Sequence, residues 1–366
     1  MPNLGLEFQS NIDMTFELQK IVRKNILNIK PYSSARDEYT GTEGVFLDAN
    51  ENPFGSVGGS AYNRYPDPYQ RDLKEKIAKI KHVNPKNIFL GNGSDEPIDL
   101  LFRVFCEPRI DNVIICPPTY GMYKVSADVN DVEAKEVLLT KDFQLNVAGI
   151  LAEVNANTKA IFICTPNNPS GNTIDNEDIK KILTHFTQGI VFLDEAYIDF
   201  TGAESWNQYL DLYPNLIVIQ TFSKAWGLAG LRLGMAFASE QIISYYNKVK
   251  YPYNIGRATL AAAHVALDNF EQVFDYVDTI VAEKELLVSK LQNIKSILRI
   301  VPSDANFVLI FIDKASEIYT ALTKELVIIR DRSKVVLCEN SLRISVGTPT
   351  ENALFIDALT KVLAQK

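Results

Sequence analysis

The amine of Lys224 and the guanidinium of Arg232 stand eight positions apart, with Ser223, Gly227, Gly230 and Gly234 around them, directly after the apolar run at 216–219. A primary amine can condense with a carbonyl group, and a guanidinium fork suits an oxyanion. A lysine by itself is ordinarily a solvated surface group, so the weight of this stretch depends on what the rest of the chain brings to it.

Four other polar clusters follow apolar runs in the same way. Gly93, Ser94 and Asp95 come after 87–91, Pro118, Thr119 and Tyr120 after 112–116, the stretch 167–171 with Asn168 after 160–164, and Asp194 with Tyr197 after 190–193. These runs are apolar throughout instead of alternating, which is how strands covered on both faces read, so the chain is expected to build an α/β fold on a mainly parallel sheet. Ile98, Leu101, Phe102 and Phe105 recur at helical spacing, with Ser94 placed to cap that helix and Gly93 leaving its first amides open. In parallel sheets ligands gather outside the carboxyl ends of the strands, so all five clusters converge on one place.

A lysine, a carboxylate, a tyrosine, an amide, an aromatic face and an anion cradle in one site are what pyridoxal 5'-phosphate requires. Lys224 would bond the aldehyde as a Schiff base, and Asp194 would keep the proton on the pyridine nitrogen. Asn168 and Tyr197 can donate to the phenolate oxygen, and Tyr120 offers a ring for stacking. Gly93, Ser94, Asp95, Ser223 and Arg232 can cradle the phosphate through helix-terminal amides, hydroxyls and a guanidinium.

The series 91–96, 117–123, 166–171, 194–197 and 223–232 resembles that of the fold-type I pyridoxal-phosphate aminotransferases, and within them is most similar to the histidinol-phosphate aminotransferase branch, from about Pro31 to the C-terminus. The resemblance implies a large domain on a seven-stranded sheet covered by helices, and a smaller α/β C-terminal domain. It assigns Lys224, Asp194 and Tyr197 to catalysis and implies a homodimer with shared active sites, in which Tyr65 reaches the neighbouring subunit's cofactor phosphate. Tyr32, Asn168, Arg330 and Arg343 are implied to touch substrate. It further implies transamination of L-histidinol phosphate with 2-oxoglutarate, giving imidazole acetol phosphate and L-glutamate, in histidine biosynthesis. An aromatic amino-acid aminotransferase would share every cofactor residue, and a lyase similar to threonine-phosphate decarboxylase shares the scaffold. Between these, two guanidinium forks suit a phosphate dianion better than a lone carboxylate; Arg332 is an extra cation with solvated and functional roles both open.

The elements that must carry these groups divide into an N-terminal arm at 1–45, a large domain at 46–270 and a small domain at 271–366. The small domain is expected to open with a long helix bearing Val273, Val277, Ile280, Leu287 and Leu291, followed by strands at 307–311, 326–330 and 342–346. With 46% hydrophobic and 22% charged residues the 366-residue chain reads as an ordinary enzyme-sized globular protein. A net charge of -8 without a basic stripe argues against nucleic-acid binding. No apolar run reaches the roughly 18 residues of a membrane span, and no leader pattern is visible at the N-terminus. Four cysteines without paired spacing and three scattered histidines predict reduced thiols, no metal site and a cytoplasmic location.

Overall fold

The computed structural model of the chain describes residues 16–32, 41, 43–59 and 62–365. Its larger sheet has seven strands: β1 (Ile88–Asn92), β2 (Asn112–Ile115), β3 (Glu133–Glu136), β4 (Thr158–Cys164), β5 (Ile190–Asp194), β6 (Leu216–Thr221) and β7 (Leu233–Ala238), in the order β1-β7-β6-β5-β4-β2-β3. Strands β3, β2, β4, β5 and β6 pair in parallel, while β7 runs antiparallel between β6 and β1. Every residue of β2, β4 to β7 except Lys159 is buried, because helices cover both faces. One hydrophobic cluster lies on each side, one including Leu193, Val218 and Phe237, the other Phe162, Phe192 and Ile219.

The helices that bear on the site follow from their sequence. After the N-terminal turns α1 (Leu18–Ile21) and α2 (Lys24–Asn28) and the helix α3 (Arg71–Lys81), α4 (Asp95–Phe105) presents Ile98, Leu101, Phe102 and Phe105 to the core as their spacing requires. Ser94 precedes it but makes no capping hydrogen bond, contrary to the expectation from sequence: its backbone is already helical, with φ -72° and ψ -10°, whereas a capping side chain needs an extended residue. The hydroxyl therefore remains available to the cleft. The expected helix near Tyr120 is α5 (Met122–Val129), and α6 (Val147–Glu153), α7 (Asn176–His185), α8 (Glu240–Val249) and α9 (Arg257–Asp268) complete the cover.

Helix α10 (Glu271–Gln292) is the bridge between the two sheets. Val273, Val277 and Ile280 pack against the large sheet's cluster, and Leu287 and Leu291 belong to the cluster of a second, four-stranded sheet. That sheet is β8 (Ile297–Val301), β9 (Phe307–Ile312), β10 (Arg330–Asp331) and β11 (Ser341–Ser345), antiparallel in the order β10-β11-β9-β8. Helices α11 (Ala315–Lys324) and α12 (Pro349–Ala364) close its core. The strand expected at 326–330 is reduced to the two residues of β10. Leu326 takes a left-handed φ of 61° where the chain leaves α11, and it and Ile328 stand in solvent instead of entering a ladder.

One close approach ties the fold to the site. The amide of Gly93, which follows β1, donates to the carbonyl of Arg232 at 2.6 Å, and a Cβ on Gly234 would lie 2.4 Å from the Gly93 carbonyl carbon and the Ser94 nitrogen. Backbone cannot yield to that contact as a side-chain tip would. Gly234→Ala is expected to cost about 1–3 kcal/mol, measured as a lower thermal midpoint, and to loosen retention of a phosphate at this loop. Gly230→Ala, where a Cβ meets nothing within 4 Å, serves as the neutral comparison.

Candidate active site

The carboxyl ends of β1, β2, β4, β5 and β6 open into a cleft of about 640 Å³, with Arg330, Arg332, Val335 and Arg343 of the small sheet forming its far wall. Of the residues singled out from sequence, Ser94, Asp95, Tyr120, Asn168, Asp194, Tyr197, Ser223, Lys224, Arg232, Arg330 and Arg343 line it together. Gly93 lies at its edge, where its φ of 72° requires glycine and a Cβ would stand 2.7 Å from Arg232 Nη2. Two residues are not brought in. Tyr65 is half-exposed and stacks on Tyr253 with ring centroids 4.3 Å apart, and Tyr32 stands in solvent.

Asp194, the last residue of β5, is buried at the floor. Its Oδ2 accepts a 2.6 Å hydrogen bond from the Tyr123 hydroxyl and its Oδ1 accepts from the Ala196 amide at 3.0 Å. Burial pushes this carboxyl above the ordinary aspartate range, partly countered by those two donors. Tyr123 is fully buried, stacked on Phe162 and met edge-on by Tyr120, so its hydroxyl has one direction in which to point. Glu195, next in sequence, turns away and accepts from the Ser205 hydroxyl, the Trp206 amide and the Gln220 amide group, which pins the turn carrying Tyr197 to β6.

Lys224 reaches into the cleft, 5.6 Å from the centre of the Tyr197 ring. Surrounding protein lowers its pKa first by burial and then through the positive charge of Arg343, against the opposing pull of Asp194. The Arg343 guanidinium lies 5.0 Å over the Phe307 ring and donates through Nη1 to Asn168 Oδ1, so the amide NH2 of Asn168 is left to face the cleft. Phe307 also meets Tyr197 edge-on at 5.2 Å. The small sheet thereby touches two of the groups carried by the large one, Asn168 and Tyr197, and acts on a third, Lys224, through charge.

The opposite end of the cleft is built for an anion. The first turn of α4 lacks a side-chain cap, Arg232 pairs with Asp95 at 3.3 Å, and the Tyr120 hydroxyl donates to the same carboxylate at 3.1 Å. These features fit pyridoxal phosphate: a glycine-bounded cradle of amides and one guanidinium, an aromatic ring, a reachable amine, and a buried carboxylate with no cation bonded to it among the described residues. Tyr123 and Glu195 are absent from the reading of the sequence as site residues. Tyr123 sits three positions after Tyr120 on α5 and could have been found from that helical spacing; nothing in sequence distinguishes Glu195 from a solvated acid.

The sequence pattern of the aminotransferase class I and II family matches residues 45–359, and the chain belongs to that family, whose members depend on pyridoxal phosphate. It is 53% identical over 346 residues to the histidinol-phosphate aminotransferase of Cytophaga hutchinsonii, spanning 94% of this chain and 99% of that one. The crystal structure of the histidinol-phosphate aminotransferase from Clostridium acetobutylicum superposes with a TM-score of 0.77 at 25% identity, covering 83% of this chain and 92% of that one. The enzyme of the same description from Sinorhizobium meliloti, solved in complex with pyridoxal-5'-phosphate, shares the fold with a TM-score of 0.75 at 23% identity over 87% and 90% of the two chains.

The charges around Lys224 yield a signed expectation. In the cofactor-free protein the rate of pyridoxal-phosphate uptake should rise with pH with a midpoint below the ordinary lysine value of about 10.4. Arg343→Ala should move that midpoint up and Asp194→Asn should move it down. A midpoint at or above the ordinary value would contradict the field described here.

Proposed function

We propose that the chain transfers the amino group of L-histidinol phosphate to 2-oxoglutarate, giving imidazole acetol phosphate and L-glutamate, as a step of histidine biosynthesis. The observation that carries the substrate choice is the pairing of Arg330 directly opposite Arg343 across β10 and β11, with no carboxylate ion-paired to either among the described residues. Like charges placed opposite each other on a sheet repel, and a phosphate ester between them relieves that repulsion.

The bound cofactor supplies a carrier for the amino group and an electron sink. Lys224 would hold it between turnovers and, once displaced, would be the base placed to move the proton of the substrate α-carbon. The lowered pKa leaves more of this amine unprotonated at a given pH than an ordinary lysine has. Asp194, fixed by Tyr123, would hold the proton on the ring nitrogen; Asn168 and Tyr197 would donate to the phenolate oxygen, and Tyr120 would stack on the ring. Gly93, Ser94, Asp95, Ser223 and Arg232 hold the phosphate.

Residues 46–270 act in this reading as the cofactor domain and 271–366 as the domain that binds the substrate anion, with 1–45 as an arm. Two chains share their active sites, each lending Tyr65 to the other's cofactor phosphate. In support, Tyr65 lies outside its own cleft, and Val45, Leu47, Phe54 and Val57 on the stretch before it are almost wholly exposed, an unusual amount of apolar surface for a lone chain. Tyr32 is assigned to the substrate side on the resemblance alone. The four free, buried cysteines support a cytoplasmic location.

The visible spectrum of the cofactor-loaded protein tests the reading. Without acceptor, histidinol phosphate should bleach the yellow absorbance at a concentration about 100-fold lower than phenylalanine does, the difference expected for charge-assisted contacts to a phosphate. Preferential bleaching by phenylalanine would make it an aromatic amino-acid aminotransferase instead. Lys224→Ala should retain cofactor and lose turnover by about 10²–10⁴-fold or more, and normal steady-state turnover would overturn the role given to that lysine.

A further inference from the structure

The wall of the cleft opposite Lys224 carries three guanidinium groups, and the two-stranded ribbon that bears them explains why. Successive side chains of a strand point to opposite faces, so Arg330 and Arg332 share a face and Asp331 takes the other. The contacts agree. Asp331 accepts from the Ser316 hydroxyl of α11 at 2.6 Å, on the side away from the cleft, while Arg330, Arg332 and Arg343 all line the cleft. The ladder continues past β10, since the Arg332 amide donates to the Ser341 carbonyl at 3.0 Å, which sets Arg332 diagonally across from Arg343.

Arg332 is half-buried, yet its side chain makes no hydrogen bond or ion pair with any described residue, and its Nε is buried without a partner. An arginine that served only to brace the turn after β10 would spend its donors on that turn's carbonyls. Arg343 has a buried, unpartnered Nε as well. Burial, and then the neighbouring Arg330, lower the pKa of Arg332, as expected of cations held together with no acid between them. Such a group of donors lacks an oxyanion of more than one charge. A planar carboxylate is satisfied by one fork, whereas the three terminal oxygens of a phosphate monoester can each take donors from a different direction.

We propose that Arg332 is a third guanidinium of the substrate-anion pocket, and that it sets the preference for a phosphate monoester dianion over a carboxylate. The proposal rests on the transaminase reading above for the identity of the substrate, but not for the presence of the anion site.

The test compares pyridoxal-phosphate-loaded wild type with Arg332→Gln and Arg332→Lys, using histidinol phosphate and glutamate as amino donors and inorganic phosphate as an inhibitor of the glutamate reaction. Arg332→Gln should raise the KM for histidinol phosphate about tenfold or more, the KM for glutamate by about threefold or less, and lower kcat for neither donor by more than about threefold. Inhibition by inorganic phosphate should weaken about tenfold, and Arg332→Lys, which keeps the charge but not the fork, should fall between. Equal KM values for histidinol phosphate in wild type and Arg332→Gln, or an equal rise for both donors, would overturn the proposal. If wild type does not favour histidinol phosphate, the choice of that donor fails by itself, and the phosphate arm still decides the role of Arg332. Weaker inhibition in Arg332→Gln then upholds the third guanidinium, and unaltered or absent inhibition removes it.

Discussion

A carboxylate buried at the end of a central strand is the constraint around which this molecule is arranged. Asp194 lies where β5 delivers it, between β4 and β6, with a tyrosine hydroxyl and one backbone amide as the only donors to its oxygens among the described residues. Two neutral donors do not replace the water that burial removes, so the site favours a cation beside this group. In the function proposed above, a protonated pyridine ring supplies it. Much of the surrounding structure has the task of keeping that position exact: Phe162 and Tyr120 fix Tyr123, and the Glu195 network fixes the turn to Tyr197.

The small sheet completes the chemistry by contact as well as by charge. Arg343 rests on Phe307, orients Asn168 and lowers the pKa of Lys224 after burial has done so first. One arginine thus links Asn168 to Lys224, the groups proposed above to bind substrate and to move the proton. Placing the long helix α10 across both hydrophobic clusters holds that wall at the cleft while leaving the ribbon of β10 and β11 at its surface.

The strands that end at the cleft were legible in sequence because burial on both faces leaves continuous apolar runs, and the polar residues that end them stand out. β7 was not: Leu-Gly-Met-Ala-Phe-Ala has small side chains where a strand normally shows branched ones, since Gly234 must lie against the Gly93 backbone. The polar edge strand β3, Glu-Ala-Lys-Glu, carries no strand signal at all. The run 326–330 misled in the other direction, its branched residues suggesting a full strand where the chain makes a left-handed turn and pairs only at its end. Within the site, residue types marked out the groups that line the cleft, but the direction of a side chain is a tertiary fact. The alliance of Tyr123 with Asp194, and the shared face of Arg330, Arg332 and Arg343, appear only once the strands are in register.

In the proposed function the carboxylate of Asp194 opposes the cofactor-free fold and is answered by the cofactor. Because burial raises this pKa, the cost to the folded state is absent below the unfolded value of about 3.9 and grows as pH rises through the folded one. Thermal unfolding of wild type and Asp194→Asn at pH 7.5, each with and without pyridoxal phosphate, measures it directly. The cofactor-free Asn variant is expected to be at least as stable as wild type, and loading is expected to raise the wild-type midpoint by clearly more than that of the variant. Equal gains on loading would contradict it.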